Sequence, residues 1–240
     1  MKKILALFLV NCLLSVAAYG EDVGELKVLK PIAIHRIPEI SFKDMKRVGE
    51  KEYDKMSSSE KKLCDKLEAG TDEFGSHFFS SSCSWYCGGQ IDTVYATSYK
   101  GKMGNVTYKG MNTHDFDPET AWVEGVKGNG VGEKLTYVFP GGCPRITKIL
   151  IMNGYSKTEK AWLDNGRVKR LKVYYDKKPF AILELNDQRS IQEFEVGVLG
   201  YNDAKHPQWT LTFEIMDVYP GDRYEDTAIT ELYFDGIDVH

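Results

Sequence analysis

Four oxygen-bearing side chains stand close together in the run His114-Asp115-Phe116-Asp117-Pro118-Glu119-Thr120. Asp115, Asp117 and Thr120 put hard oxygen donors on a proline-containing turn, and Ca2+ accepts about six to eight such donors in flexible geometry. The same spacing also suits a solvated turn in which either aspartate caps backbone N–H groups. No regular Ca2+-loop spacing decides between the two.

Aromatic side chains supply a second set. Tyr155 and Trp162 flank the polar run Ser156 to Lys160, and Asn165 and Arg167 follow. A sugar presents apolar C–H faces rimmed by hydroxyls, so a site for one needs an aromatic plate and a few planar donors and acceptors. Trp162 is the expected plate, with Tyr155 beside it and Asn165 and Arg167 as hydrogen-bonding groups; the competing expectation is that Trp162 folds inward as a core plug. Tyr219, Asp222, Arg223, Tyr224 and Glu225 form a second loop of similar character, with Tyr224 as its contact residue. Trp122 and Trp209 are assigned to the core.

Patterns for catalysis do not emerge. The sequence has no Gly-x-Ser-x-Gly and no His-Glu-x-x-His, and Gly128-x-Gly130-x-Gly132 precedes a strand pattern rather than a helix. Two carboxylates two residues apart in one turn do not straddle a glycosidic bond. A non-enzyme is therefore expected, with a glycoside hydrolase as the lesser alternative.

These residues need a scaffold, and the hydrophobic period describes it. From Lys134 onward apolar residues alternate with polar ones: Leu135, Tyr137, Phe139; Leu171, Val173, Tyr175; Trp209, Leu211, Phe213, Ile215. Shorter runs lie at Ile146 to Met152, Phe180 to Leu185, Ile191 to Val196 and Ile229 to Phe234, separated by Pro-Gly, Asn-Gly and Asn-Asp turns. A series of short strands without crossover helices predicts an all-β sandwich or barrel. A helix is predicted from Ser58 to about Leu67, with Ser57, Ser58 and Ser59 as candidate caps and Gly70 as its stop.

The first twenty residues carry Lys2 and Lys3, an apolar stretch from Ile4 to Val16, and Ala17-Ala18-Tyr19-Gly20, the three parts of a secretory signal peptide. Cys12 follows Leu9-Val10-Asn11, a poor match to a lipoprotein cleavage box. Nothing later approaches the ~20 continuous apolar residues of a spanning helix, so the chain is expected to be exported, to the periplasm, surface or surroundings of a bacterium, with no transmembrane segment. Cleavage after Gly20 removes two lysines and no acid, which makes the formal charge of −4 more negative still; nucleic acid and anionic lipid are not the expected partners. Cys64, Cys83, Cys87 and Cys143 remain, and in an oxidising compartment they are expected to form two disulfides of undetermined pairing.

The order of motifs carries a resemblance. The aspartate turn with Thr120-Ala121-Trp122, then Val123-Glu124-Gly125, Gly128 to Glu133, Asn153-Gly154-Tyr155, Trp162, Asn165 to Arg167, and Val218 to Gly221 leading to Ile229-Thr230-Glu231-Leu232 resemble the discoidin-like, galactose-binding-like glycan-binding domain that accompanies a secreted NAD glycohydrolase. The loop Cys83 to Gly89 is similar to that of stand-alone exported bacterial members. The resemblance implies a jelly-roll β-sandwich with a short N-terminal helical extension, divided as residues 1–20 (signal peptide), 21–82 (extension) and 83–240 (sandwich). It also implies a structural Ca2+ to which Glu231 adds its carboxylate beside Asp115, Asp117 and Thr120. The implied partner is a glycan or glycoconjugate bound at the loop end. A surface protein bound through the same loops is the alternative.

Overall fold

The computed structural model describes residues 25–37, 48–70 and 84–239; the expected signal peptide and Cys83 lie outside them. The strands are β1 (Lys27–Leu29), β2 (Ala33–His35), β3 (Thr93–Ala96), β4 (Trp122–Val123), β5 (Lys134–Phe139), β6 (Ile146–Asn153), β7 (Gly166–Tyr175), β8 (Lys178–Glu184), β9 (Ile191–Leu199), β10 (Trp209–Tyr219) and β11 (Thr227–Gly236). The helices α1 (Ser58–Gly70) and α2 (Glu159–Asp164) lie between them. No helix among the described residues is long and apolar enough to cross a membrane.

Strand pairing runs β1-β8-β7-β10-β5-β3 in one layer and β2-β9-β6-β11-β4 in the other. The layers join through a short parallel contact in which Thr227 pairs with Gly166 and Ala228 with Arg167. The chain crosses between layers at β5 to β6, β6 to β7, β8 to β9, β9 to β10 and β10 to β11, the winding of a jelly roll. The alternation read from sequence is the inward face. In β5 and β10 every second residue is buried, Leu135, Tyr137 and Phe139 against Trp209, Leu211, Phe213 and Ile215. Phe139 stacks on Trp209 at 4.2 Å and meets Phe234 of the opposite layer edge-on at 5.0 Å, so one apolar core is shared by both layers.

Strand β11 departs from alternation, with both faces buried from Thr227 to Phe234. Its outward residue Tyr233 lies under Phe116, which stacks on it at 5.3 Å, and beside Leu150, Met152 and Ile191. The edge of β11 away from β6 is closed by side chains. His114 donates from Nδ1 to the Leu232 carbonyl at 2.8 Å, and the Phe234 N–H donates to the Tyr86 hydroxyl at 3.0 Å. Burial pushes the His114 imidazole down to about 4, which keeps it neutral and fixes the proton on the nitrogen that makes this bond.

The N-terminal extension proves to be part of the sandwich. β1 adds to β8 in parallel and β2 adds to β9 antiparallel, so a single segment straps both layers along their open edge. Leu29 enters the core, and His35 bonds Glu193 at 2.9 Å. Burial alone would raise the Glu193 carboxyl, but Lys148 and His35 outweigh it and hold the group below the usual carboxylate range. Helix α1 starts on a reciprocal cap: the Glu60 N–H donates to Ser57 Oγ, and the Ser57 N–H donates to the Glu60 carboxylate.

Trp122 and Trp209 are buried as expected, and Trp85 joins them, donating its indole N–H to the Pro144 carbonyl at 2.9 Å. Cys143 departs from the expectation of two bridges. It is a buried thiol donating to the Gln90 carbonyl at 3.4 Å, and burial pushes its ionisation to higher pH. The shared core yields a direct prediction. Phe234→Ala removes a ring that touches Trp85, Tyr137 and Phe139 and should cost about 3–5 kcal/mol in urea unfolding; a loss under 1 kcal/mol would show that the layers do not depend on it.

Candidate functional site

The aspartate turn is built by its own side chains. Asp115 Oδ1 accepts from the Asp117 N–H at 3.0 Å, and Asp117 Oδ1 accepts from the Glu119 N–H at 2.9 Å, two successive Asx turns. Between them Phe116 takes a left-handed φ of 59°, strained for a side chain of that size, and its stacking on Tyr233 holds it there. The turn brings Thr120 Oγ1 to 2.8 Å from Asp115 Oδ2, 3.3 Å from the Asp117 carbonyl and 3.4 Å from the Asn112 carbonyl.

Glu231 reaches the same place from β11. It is 0% exposed, and its carboxyl lies against Asp115 and the Asp117 N–H. Burial, followed by the proximity of Asp115, pushes its carboxyl well above the usual range. Asp115 is also raised by partial burial, against the pull of the Thr120 hydroxyl and the Asp117 N–H. Glu231 and Asp115 thus form a close pair of acids, and among the described residues no group of three or more His, Cys, Asp or Glu side chains is placed to hold a metal ion. Of the expected ligands, Thr120 donates to Asp115 and Glu231 lies beside Asp115, while Asp117 Oδ1 is engaged with the Glu119 N–H.

The loop from Tyr155 to Arg167 differs from expectation. Thr158 caps a short helix by accepting the Ala161 N–H at 3.0 Å, Lys160 pairs with Asp164 at 2.6 Å one turn on, and α2 rolls Trp162 inward. Trp162 is 6% exposed and donates its indole N–H to the Asn153 carbonyl at 3.1 Å. The stacking-plate expectation is corrected: the ring is a plug. Asn165 donates to the Ala161 carbonyl at 2.8 Å and closes the helix end, while Tyr155 leans on Tyr108 and donates its hydroxyl to the Glu119 carbonyl at 3.2 Å.

Arg167 is not at the surface either. Its guanidinium lies 4.6 Å from the centroid of the Trp162 ring, forks onto both oxygens of Asp187 at 2.9 and 3.0 Å, and donates from Nη1 to the carbonyls of Leu163, Asn165 and Pro220. Four of the five residues expected to touch ligand therefore hold the loops together.

Tyr224 is the fifth, and it stands 40% exposed on a cleft. The cleft, of about 600 Å³, is lined by Gly128, Asn129, Asp217, Val218 and the run Pro220 to Glu225. Its principal wall is fastened to α2: the N–H groups of Asp222, Arg223 and Tyr224 donate to the carbonyls of Leu163 and Asp164 at the helix end. Gly221 permits this approach, since a Cβ there would come within 2.5 Å of the Asn165 carbonyl carbon. The facing wall is held by buried Glu124, which accepts the N–H groups of Val126 and Thr227 and lies against Gly130. Arg223 approaches the Tyr224 ring at 5.1 Å and Lys100 at 5.6 Å, with Lys100 tethered to Asp226. Composition of the 219–225 loop pointed to this site; the depth of the cleft rests on contacts distant in sequence that no local pattern records.

Trp162→Ala tests the reassignment. Losing a buried indole should lower folding stability by about 3–5 kcal/mol in urea titrations, whereas near-wild-type stability would return Trp162 to the surface.

Comparison with known proteins places this geometry in a family. Residues 85–235 match the NAD glycohydrolase translocation F5/8 type C domain. No curated protein matches the chain. Among solved structures, that of the CBM32-1, CBM32-2 and M60 catalytic domains of ZmpB from Clostridium perfringens is 12% identical with a TM-score of 0.43, covering 64% of this chain and 14% of that one. The arabinofuranosyltransferase AftD from Mycobacteria is 15% identical with a TM-score of 0.39, covering 60% of this chain and 11% of that one. This chain thus spans a small fraction of either protein's length. The matched residues make up more than half of the sequence and contain the sandwich from Trp85 almost to its end, so the chain belongs to the NAD glycohydrolase translocation F5/8 type C domain family.

Proposed function

We propose that this chain is an exported glycan-binding module without chemistry of its own, and that it binds sugar in the cleft beside Tyr224. The observation that carries the reading is the composition of that cleft. One exposed aromatic ring stands among Asn129, Asp222, Arg223 and Glu225, on walls fixed by main-chain bonds to α2 and by Glu124. An apolar plate ringed by planar donors and acceptors matches a sugar's C–H face and its hydroxyl rim. Walls already bonded in place reduce the ordering cost of binding. An adhesive module that binds protein through the same loops is the second reading, and a glycan array with the exported chain separates the two.

A calcium ion at Asp115, Thr120 and Glu231 is the companion proposal. Its support is the fully buried carboxyl of Glu231 lying close to the carboxyl of Asp115. A bound divalent cation would neutralise the two carboxylates and keep the turn closed against β11. The ion's part is structural, since this turn is not among the residues lining the cleft.

Two measurements follow. Tyr224→Ala should weaken glycan binding by about 1–3 kcal/mol, read by calorimetry against the best array hit, while the midpoint of thermal unfolding stays close to wild type; unchanged affinity would remove the cleft as the site. Millimolar Ca2+ should raise the unfolding midpoint over that in chelator by linkage, about 2.7 kcal/mol of stabilisation at a hundredfold excess over Kd. Glu231→Gln should abolish the shift, and equal midpoints for the wild type with and without Ca2+ would refute the site.

A further inference from the structure

The cleft has a charge pattern of its own, and the pattern bears on which sugars it accepts. Four charged side chains line it, Asp217, Asp222, Arg223 and Glu225. Asp217 is already satisfied: Lys169 Nζ lies 3.0 Å away and holds the carboxyl below the usual range. Neighbouring Asp226 is likewise taken by Lys100. Asp222 spends its backbone N–H on the Leu163 carbonyl, but among the described residues its carboxylate and that of Glu225 have neither an ion pair nor a hydrogen bond, and both residues are exposed. Arg223 lies near the Tyr224 ring and, among the described residues, has no carboxylate partner. Two carboxylates and one guanidinium are therefore available to a ligand, and the local balance is negative, as is that of the whole chain.

Resting on the glycan reading above, we propose that the cleft selects by charge: it takes uncharged or amine-bearing sugars and disfavours those that carry a carboxylate. Free carboxylates accept hydroxyl or ammonium protons from a ligand. A uronate placed among them meets two like charges with only Arg223 to offset them, the repulsive element by which a site discriminates among ligands of similar shape. The size of the effect is bounded. Exposed pairs contribute about 0.2–1 kcal/mol each, so the discrimination is severalfold, not absolute, and salt should shrink it because the Debye length is about 8 Å at physiological ionic strength.

The test uses the full exported chain, isotope-labelled, titrated by NMR with trios of monosaccharides that share one ring: a hexose, its 2-amino form and its uronate, in the glucose and galactose series. The uronate should bind at least about threefold more weakly than its hexose and the amino sugar at least as tightly, with the gap narrowing in high salt. The double variant Asp222→Asn, Glu225→Gln should raise the uronate-to-hexose affinity ratio at least about threefold. A uronate that binds more tightly than its hexose, or a ratio the double variant does not move, overturns the charge selection while leaving the glycan site standing. Absence of binding by every member of both trios overturns the glycan reading itself, and the selection with it.

Discussion

One buried guanidinium sets the geometry of the loop end. Arg167 sits where β7 and β11 make the contact that joins the two layers, and from there it reaches the β8–β9 turn through Asp187, the end of α2 through Leu163 and Asn165, and the cleft wall through Pro220. A charge this far from water is tolerable only with its hydrogen-bonding capacity filled, so each of those segments is obliged to present an oxygen at the right place. Trp162 completes the arrangement by covering the guanidinium plane. Lysine could not substitute, because a single ammonium cannot span a fork onto Asp187 and three carbonyls in other directions.

Strand β11 transmits this order through the molecule. At its start it is held by β4 and β7, along its length by β6, and on its free edge by His114 and Tyr86. Because Glu231 lies on this fixed strand, its carboxylate is delivered to the aspartate turn without freedom to withdraw to solvent. Burial and the neighbouring Asp115 both raise the cost of ionising it there, a cost that the proposed cation would offset.

The strands were legible because each of β5, β7 and β10 buries one face, so the period of two is written directly into the sequence. β1 and β2 were not legible as parts of the sandwich: three residues are too few to show a period, and their pairing with β8 and β9 depends on residues some 150 positions away. The site was legible by type and misread by orientation. Lys157, Glu159 and Lys160 made the 155–167 segment look like a solvated loop, yet α2 spans only six residues, less than two turns, and too few for helical periodicity to show. Thr158 was a cap signal, but without Glu or Gln three positions on it lacked half of the usual pattern. Tyr224 differs in standing exposed, with only Lys100 and Arg223 beside its ring.

The proposed function rests on one claim, that a sugar sits in the cleft at the loop end opposite the C-terminal end of β11. Chemical-shift mapping with a glycan chosen from an array puts that claim to its most direct test. The account predicts that perturbed backbone resonances gather on Gly128, Asn129 and the run from Asp217 to Glu225, with Trp162 and Arg167 moving little. Perturbations gathered instead on the far end of the sandwich, around Tyr201 and His206, would contradict it.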